Sequence, residues 1–143
     1  MKAKKINELK FSLPALSVNE GVARAVVGAF CAQLNPTVEE IADLKCAVSE
    51  AVTNSIVHGY RGEGGILYIS VCLYDDRSIS VMIRDRGCGI PDVPLARTPL
   101  YTTNTDGERS GMGFSVMETF TDRLTVGSRI GKGTRVNMIK RLS

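Results

Sequence analysis

Three short motifs hold the side chains best suited to chemistry in this chain of 143 residues. The first lies in the stretch "SEAVTNSIVHGY", where Glu50 and Asn54 are four residues apart. In a helix this spacing puts both side chains on one face. A carboxylate can accept a proton and an amide oxygen can bind a cation, but by itself such a pair usually marks the solvated side of an amphipathic helix. His58, the only histidine, is predicted to end the helix in a purely structural role.

The other two motifs are rich in glycine. Asp85-Arg-Gly87-Cys-Gly89 follows an apolar stretch, and Arg109-Ser-Gly111-Met-Gly113 precedes a segment with helical spacing. The ordinary interpretation of the first is a turn, because glycine tolerates positive φ. The second is weak evidence alone, although free amides at a helix N-terminus do favour anions.

Competing sites are excluded by their spacing. "GSRIGKGT" lacks the four residues that separate Gly from Gly-Lys-[Ser/Thr] in a P-loop, and no G-x-G-x-x-G follows a strand. A Ser/His/Asp triad is not credible, since His58 has no G-x-S-x-G motif beside it.

The first half of the chain is predicted to form one strand and two helices. "ELKFSL" alternates apolar and polar residues and suits a half-buried strand. A first helix is predicted with Asn19 as its N-cap and Asn35-Pro36 as its stop. Thr37 and Glu40 form a capping box for the second helix, which Gly59 is predicted to end. The predicted buried stripe of that helix comprises Ile41, Leu44, Val48, Ala51, Val52 and Ile56.

The second half is predicted to form two hairpins separated by a loop and a helix. Strands 66–74 and 77–84 flank a turn at Asp75-Asp76, residues 87–113 form a long loop of the kind that serves as a functional lid, and a helix spans 112–120. Two further strands flank a Gly-Lys-Gly turn. The order β-α-α-β-β-lid-α-β-β predicts an α+β fold: a two-layer α/β sandwich with a mostly antiparallel five-stranded sheet and three helices on one face.

Composition indicates a single domain over residues 1–143, with 43% hydrophobic residues available for a core. The net charge of +3 argues little for direct contact with nucleic acid. No signal peptide or membrane-spanning run is visible, and the four cysteines are scattered without a metal-binding or disulfide pattern. We therefore expect a reduced, cytoplasmic protein.

The order and spacing of all three motifs resemble the N box (E-x-x-x-N), G1 box (D-x-G-x-G) and G2 box (G-x-G) of the GHKL ATPase/kinase superfamily. The run "SEAVTNSIVHGY … IRDRGCGI … RSGMGF" is closer still to the bacterial serine-protein kinases that act as anti-sigma factors, those of sporulation in particular. The resemblance extends over residues 7–141.

This resemblance implies a role for each motif residue. Glu50 is implied as the general base for a serine hydroxyl, Asn54 as a ligand of Mg²⁺, and Asp85 as the acceptor of a hydrogen bond from the adenine amino group. Gly87 and Gly89 let the backbone approach the ring. The triphosphate of ATP is implied to contact a further set: Arg109 at the γ-phosphate, with Ser110, Gly111, Met112 and Gly113. Thr134 matches a family position near the adenine, and an ordinary strand threonine is the alternative.

The resemblance also implies partners. The chain is expected to form a homodimer, to bind a sporulation sigma factor of the sigma F type, and to phosphorylate a small anti-anti-sigma protein, leaving ADP. Arg24 matches a partner-contact position, and an exposed helix arginine is the alternative. Direct nucleic-acid and membrane contacts are not expected. A general-stress anti-sigma kinase and a sequestering module without kinase activity remain alternatives, whereas a histidine kinase or a gyrase-type ATPase would need domains that this chain has no residues to build.

Overall fold

A computed structural model describes residues 2–98 and 113–143 and contains one five-stranded sheet. Its strands are β1 (Lys5–Pro14), β2 (Ile66–Tyr74), β3 (Ser78–Asp85), β4 (Arg123–Arg129) and β5 (Gly133–Arg141). They lie in the order β1-β2-β3-β5-β4, and every neighbouring pair is antiparallel. Arg109, Ser110, Gly111 and Met112 lie outside the described residues.

Alternation along the strands gives the sheet one apolar face. The inward residues of the central hairpin are buried, as their period of two predicts: Leu67, Ile69, Val71, Leu73, Ile79, Val81 and Ile83. They form one core with the buried residues of the helices. The opposite face of the sheet carries the polar half of the alternation.

The helices are α1 (Asn19–Cys31), α2 (Val38–Asn54), the four-residue α3 (Val93–Ala96) and α4 (Gly113–Phe120). α2 packs against both α1 and α4. Leu44, Val48, Ala51 and Val52 of its predicted stripe are buried, and Ile41 is partly buried. The α+β sandwich is confirmed, and α3 is an addition that the sequence did not predict within the long loop.

Three local predictions were wrong. Asn19 does not cap α1: its side-chain amide instead donates to the carbonyl of Pro14, 2.9 Å away, at the end of β1. Arg77 is not in a strand, because its φ of 67° places it in the turn before β3. Gly59 is the last residue of the helical segment but not a left-handed cap, because its φ is not positive and the first positive φ values after α2 are those of Arg61 and Gly62.

The capping box of α2 is confirmed. The Thr37 hydroxyl accepts from the backbone N–H of Glu40 at 3.0 Å, and the Glu40 carboxylate accepts from the N–H of Thr37 at 2.9 Å. The backbone N–H groups of Thr37 and Ser143 lower the pKa of Glu40 to about 2, so this cap is charged at neutral pH.

We expect Thr37→Ala to lower the free energy of unfolding by about 1 kcal/mol, because one backbone donor of α2 loses its acceptor. Thr37→Ser keeps the hydroxyl and serves as the control. Urea denaturation followed by circular dichroism measures both variants. Equal stability of the alanine and serine variants would contradict the role of the cap.

Candidate functional site

α2 does not end in a regular turn but widens into a π-helical turn over Ser55–Gly59. The N–H of Tyr60 donates to the carbonyl of Ser55, five residues back, at 2.8 Å. Such widened turns are rare and occur often at functional sites. Asn54, the last residue before the widening, lies beside the start of α4: a methyl group on Gly113 would be 3.0 Å from both the oxygen and the nitrogen of its amide. The first and third motifs therefore meet here.

Asp85 ends β3 and is buried, with 3% of its surface exposed. Its Oδ1 accepts from the N–H of Gly87 at 2.9 Å and from the N–H of Thr134 at 3.2 Å, and the Ser55 side chain also hydrogen-bonds to the carboxylate. Burial raises the pKa of Asp85 above its usual value, although these hydrogen bonds act in the opposite direction. Both backbone donors bond to Oδ1, so Oδ2 accepts neither of them.

Close backbone contacts, more than turn geometry, explain the glycines. A Cβ on Gly87 would lie 2.1 Å from the carbonyl oxygen of Gly59, and a Cβ on Gly59 would lie 2.8 Å from Oδ2 of Asp85. A Cβ on Gly133 would meet the Asp85 carbonyl at 2.1 Å. Only Gly89 of the second motif has positive φ, at 80°. At these glycine positions the backbone segments of the site pack too closely to leave room for a side chain.

Hydrogen bonds join the second motif to both of its neighbours. The N–H of Cys88 donates to the Gly59 carbonyl at 2.9 Å, and its thiol contacts the His58 carbonyl at 3.2 Å. On the other side, the Cys88 carbonyl accepts from Gly131 at 2.8 Å, and the N–H of Ile90 donates to the Ser128 hydroxyl at 2.7 Å. The loop is thus fixed between the end of α2 and the β4–β5 hairpin.

Sequence reasoning missed three residues that support this site. The Tyr60 hydroxyl accepts from the N–H of Arg86 at 2.7 Å and donates to the Ile66 carbonyl at 2.6 Å, which holds β2 and the second motif together. Buried Ser55 bonds Asp85, and Ser128 bonds Thr134 at 2.8 Å. The available signal was position: Tyr60 directly follows Gly59, the predicted helix end, and Ser55 directly follows Asn54 of the first motif.

Glu50 faces a different space from Asp85. It lines a groove of about 330 Å³ between α1 and α2, together with Ser17, Glu20, Ser49, Thr53, Ile56 and Val57. At 100° per residue, Glu50 lies between Thr53 and Asn54 around the helix, so it borders both the groove and the Asn54 side. Arg24 is held at this groove, with Nη1 3.3 Å from both the Glu20 carboxylate and the Ser49 hydroxyl.

The residues present fit a magnesium nucleotide. Among residues 2–98 and 113–143, no group of His, Cys, Asp and Glu side chains could enclose a metal. Mg²⁺ does not need one, because it binds through one or two protein oxygens plus phosphates and water. Asn54 offers such an oxygen next to the N-terminus of α4.

We expect Gly87→Ala to destabilise the fold by about 1–3 kcal/mol, because the added methyl forces the second motif away from Gly59. Gly127→Ala is the matched control: it also lies in the sheet region, has no atom within 4 Å of a Cβ, and has no positive φ. Urea unfolding compares them. Equal stabilities would contradict the close-packing account.

Comparison with known proteins assigns the family. Residues 13–140 match the histidine kinase-like ATPase domain. Anti-sigma F factors from Clostridium novyi and Bacillus licheniformis are 53% and 50% identical over 137 and 138 residues. These alignments cover 95% of this chain and 95% of the first relative, and 96% of this chain and 94% of the second. The chain belongs to the anti-sigma F factor family of histidine kinase-like ATPases. The resemblance seen in the motifs is confirmed.

Solved structures agree on the fold of this anti-sigma F family member. The RsbU and RsbW domains of Rv1364c from Mycobacterium tuberculosis superimpose with a TM-score of 0.69 at 20% identity, covering 96% of this chain and 32% of that one. The histidine kinase domain from Erythrobacter litoralis EL346 gives a TM-score of 0.57 at 19% identity, covering 91% and 62%. Within the described ranges, no helix is long and apolar enough to cross a bilayer.

Proposed function

We propose that this chain is an ATP-dependent serine protein kinase and an anti-sigma factor. In this proposal it binds and inhibits a sporulation sigma factor of the sigma F type and phosphorylates a serine of an anti-anti-sigma antagonist. The observation that carries the proposal is Asp85: a buried carboxylate in which both backbone hydrogen bonds go to one oxygen, Oδ1. Family membership and Glu50 on the adjoining groove support the rest.

Adenine recognition is assigned to Asp85 and its supports. Oδ2 accepts a hydrogen bond from the exocyclic amino group, a donor that guanine lacks at that position. Close approach of the ring to the backbone at Gly87 and Gly89 stays a prediction from the motif. Thr134 acts here as a positioning residue, because its N–H fixes Oδ1 of Asp85 and its hydroxyl bonds Ser128.

Phosphate binding is assigned to the end of α2 and the start of α4. The Asn54 amide oxygen would hold Mg²⁺, and Gly113 leaves room for it. When bound, ATP would supply the phosphoryl group, and Mg²⁺ would partly neutralise its negative charge. Contacts of Ser110, Gly111 and Met112 with phosphate, and of Arg109 with the γ-phosphate, stay predictions from the motif.

Glu50 is assigned as the general base. A serine hydroxyl entering the groove beside α2 would transfer its proton to the Glu50 carboxylate while its oxygen attacks the γ-phosphorus, and ADP leaves. Such assistance typically contributes 10²–10⁴-fold. Arg24 at the same groove is the proposed contact for partner proteins, because its guanidinium is held there by Glu20 and Ser49. The proposal also includes that the chain forms a homodimer and acts in the cytoplasm.

Labelled ATP mixed with the purified chain and its antagonist tests the proposal. We expect label on an antagonist serine and co-purification of a sigma factor in the presence of ATP. A second candidate is a sequestering module whose nucleotide is only structural. Glu50 disfavours it, because holding a nucleotide requires no base there. Sigma binding without any phosphoryl transfer would establish that second candidate and refute the kinase.

A further inference from the structure

On strands β3, β4 and β5, every charged side chain on the uncovered face of the sheet is an arginine, whereas β1 places Glu8 and Lys10 on the same face. Strand alternation places Arg84 of β3, Arg135 of β5, and Arg123 and Arg129 of β4 on this outward face. Arg86 joins them, since its guanidinium lies 4.9 Å from the centre of the outward-facing Tyr68 ring. We call these five residues the arginine face. All five are exposed.

These arginines have no carboxylate partner among the described residues. The ion pairs found in residues 2–98 and 113–143 involve Lys5, Arg24, Arg97 and Lys140. Arg84 and Arg135 are directly opposite each other in the β3–β5 ladder. Like charges opposite each other destabilise a sheet. The fold tolerates this cost, which a bound polyanion would remove.

The choice of side chains favours phosphate over a protein surface. Arginine binds phosphate oxygens bidentately and stacks on aromatic planes, which lysine does less well. Tyr68 contacts the guanidinium groups of both Arg84 and Arg86 at 4.9 Å. The outward positions between the arginines hold Ser80, Thr125 and Asn137 together with the partly exposed Met82 and Ile139, and on β3, β4 and β5 none of them is a carboxylate that would repel phosphate.

We propose that the arginine face binds the phosphate backbone of a nucleic acid. The site is separate from the nucleotide cleft, because Asp85 points into the core while its neighbours Arg84 and Arg86 point outward. Both sites can therefore be occupied together. The net charge of +3 underlies the expectation of no direct nucleic-acid contact, but a whole-chain sum does not register charges gathered on one face.

Fluorescence anisotropy with labelled single-stranded and duplex DNA tests this, with saturating Mg²⁺-ATP present so that the cleft cannot bind the probe. We expect binding at about 50 mM salt that weakens steeply by about 200 mM. The double variant Arg84→Gln/Arg135→Gln should bind duplex at least tenfold more weakly at the lower salt. Its log–log salt slope should be smaller by roughly 1.8, the contribution of two phosphate contacts.

The matched control is Lys2→Gln/Arg61→Gln, which removes the same charge at exposed positions away from the arginine face. It should leave the salt slope unchanged. Arg123→Gln/Arg129→Gln provides a second test should the first double variant fail to fold in urea-unfolding measurements. Equal loss in the control, no binding of either DNA, or binding of polyglutamate in place of DNA would overturn the proposal; the last outcome would indicate an acidic protein partner.

Discussion

We expect Glu50→Gln to reduce phosphoryl transfer to the antagonist serine by about 10²–10⁴-fold, because the amide cannot accept the hydroxyl proton. Nucleotide affinity should change little, since Glu50 lines the groove between α1 and α2 and not the pocket around Asp85. Single-turnover transfer of label from ATP measures the first quantity, and calorimetric titration measures the second.

Glu39→Gln is the control for this substitution. It removes the same charge from the same helix, at an exposed position in the first turn. It should transfer label at the wild-type rate. A Glu50→Gln variant that transfers label as fast as this control would remove Glu50 from the chemistry and favour a different base.

Replacing Asp85 by asparagine should weaken ATP binding by about 10–100-fold, the effect of losing a hydrogen bond to a charged group. The asparagine oxygen can keep the bonds from Gly87 and Thr134 that Oδ1 accepts. Its NH₂ group then occupies the position of Oδ2 and presents a donor to the adenine amino group. Guanine offers an acceptor there, so the affinity for GTP should fall less than the affinity for ATP. The preference of the protein for ATP over GTP should therefore decrease.

The Asp85→Asn substitution should also change how the stability of the fold depends on pH. Burial raises the folded pKa of Asp85 above its ordinary 3.8, so folding favours the protonated acid. The stability that this group contributes is full below pH 3.8 and is lost as pH rises through the folded pKa. The Asp85→Asn variant has no carboxyl group at this position, so it should not lose this stability as pH rises. At pH 7 it should unfold at no lower urea concentration than the wild type. A strongly destabilised variant would mean that the carboxylate serves the fold and not the ligand.

Sequence patterns predicted the architecture where the physics is local. Alternation in "ILYISVCLY" determines which face of β2 is buried, and a Thr37–Glu40 capping box needs only four consecutive residues. Both features depend on near neighbours, so both were predicted correctly. The antiparallel pairing of β2 with β3 and of β4 with β5 followed from the short turns that join them.

The features that sequence missed depend on distant parts of the chain. Gly59 was predicted to be a helix cap, yet its small size serves Asp85 and Gly87, which follow more than twenty residues later. Tyr60 belongs to no helical or strand periodicity in the sequence, although its hydroxyl bonds both the N–H of Arg86 and the carbonyl of Ile66. Such contacts appear only once strands and helix are assembled.

The candidate site was predicted in part. Asn54 with Gly113, and Asp85 with Gly87 and Thr134, lie together as the motifs indicate. Glu50 instead borders the α1–α2 groove beside Arg24, whereas Asn54 lies beside Gly113. The spacing of four residues does not reveal that the two side chains border different spaces. The part of the third motif between 109 and 112 remains a prediction from sequence.

Titration of Mg²⁺-ATP into the folded 143-residue chain by calorimetry shows whether the site around Asp85 and Asn54 binds the nucleotide. We expect saturable heat with one nucleotide per chain, and a dissociation constant that rises by about 10–100-fold in Asp85→Asn. Absence of heat from wild-type protein whose fold is verified by circular dichroism would contradict the proposed nucleotide site. Equal affinity of the wild type and the asparagine variant would likewise show that Asp85 does not read the base.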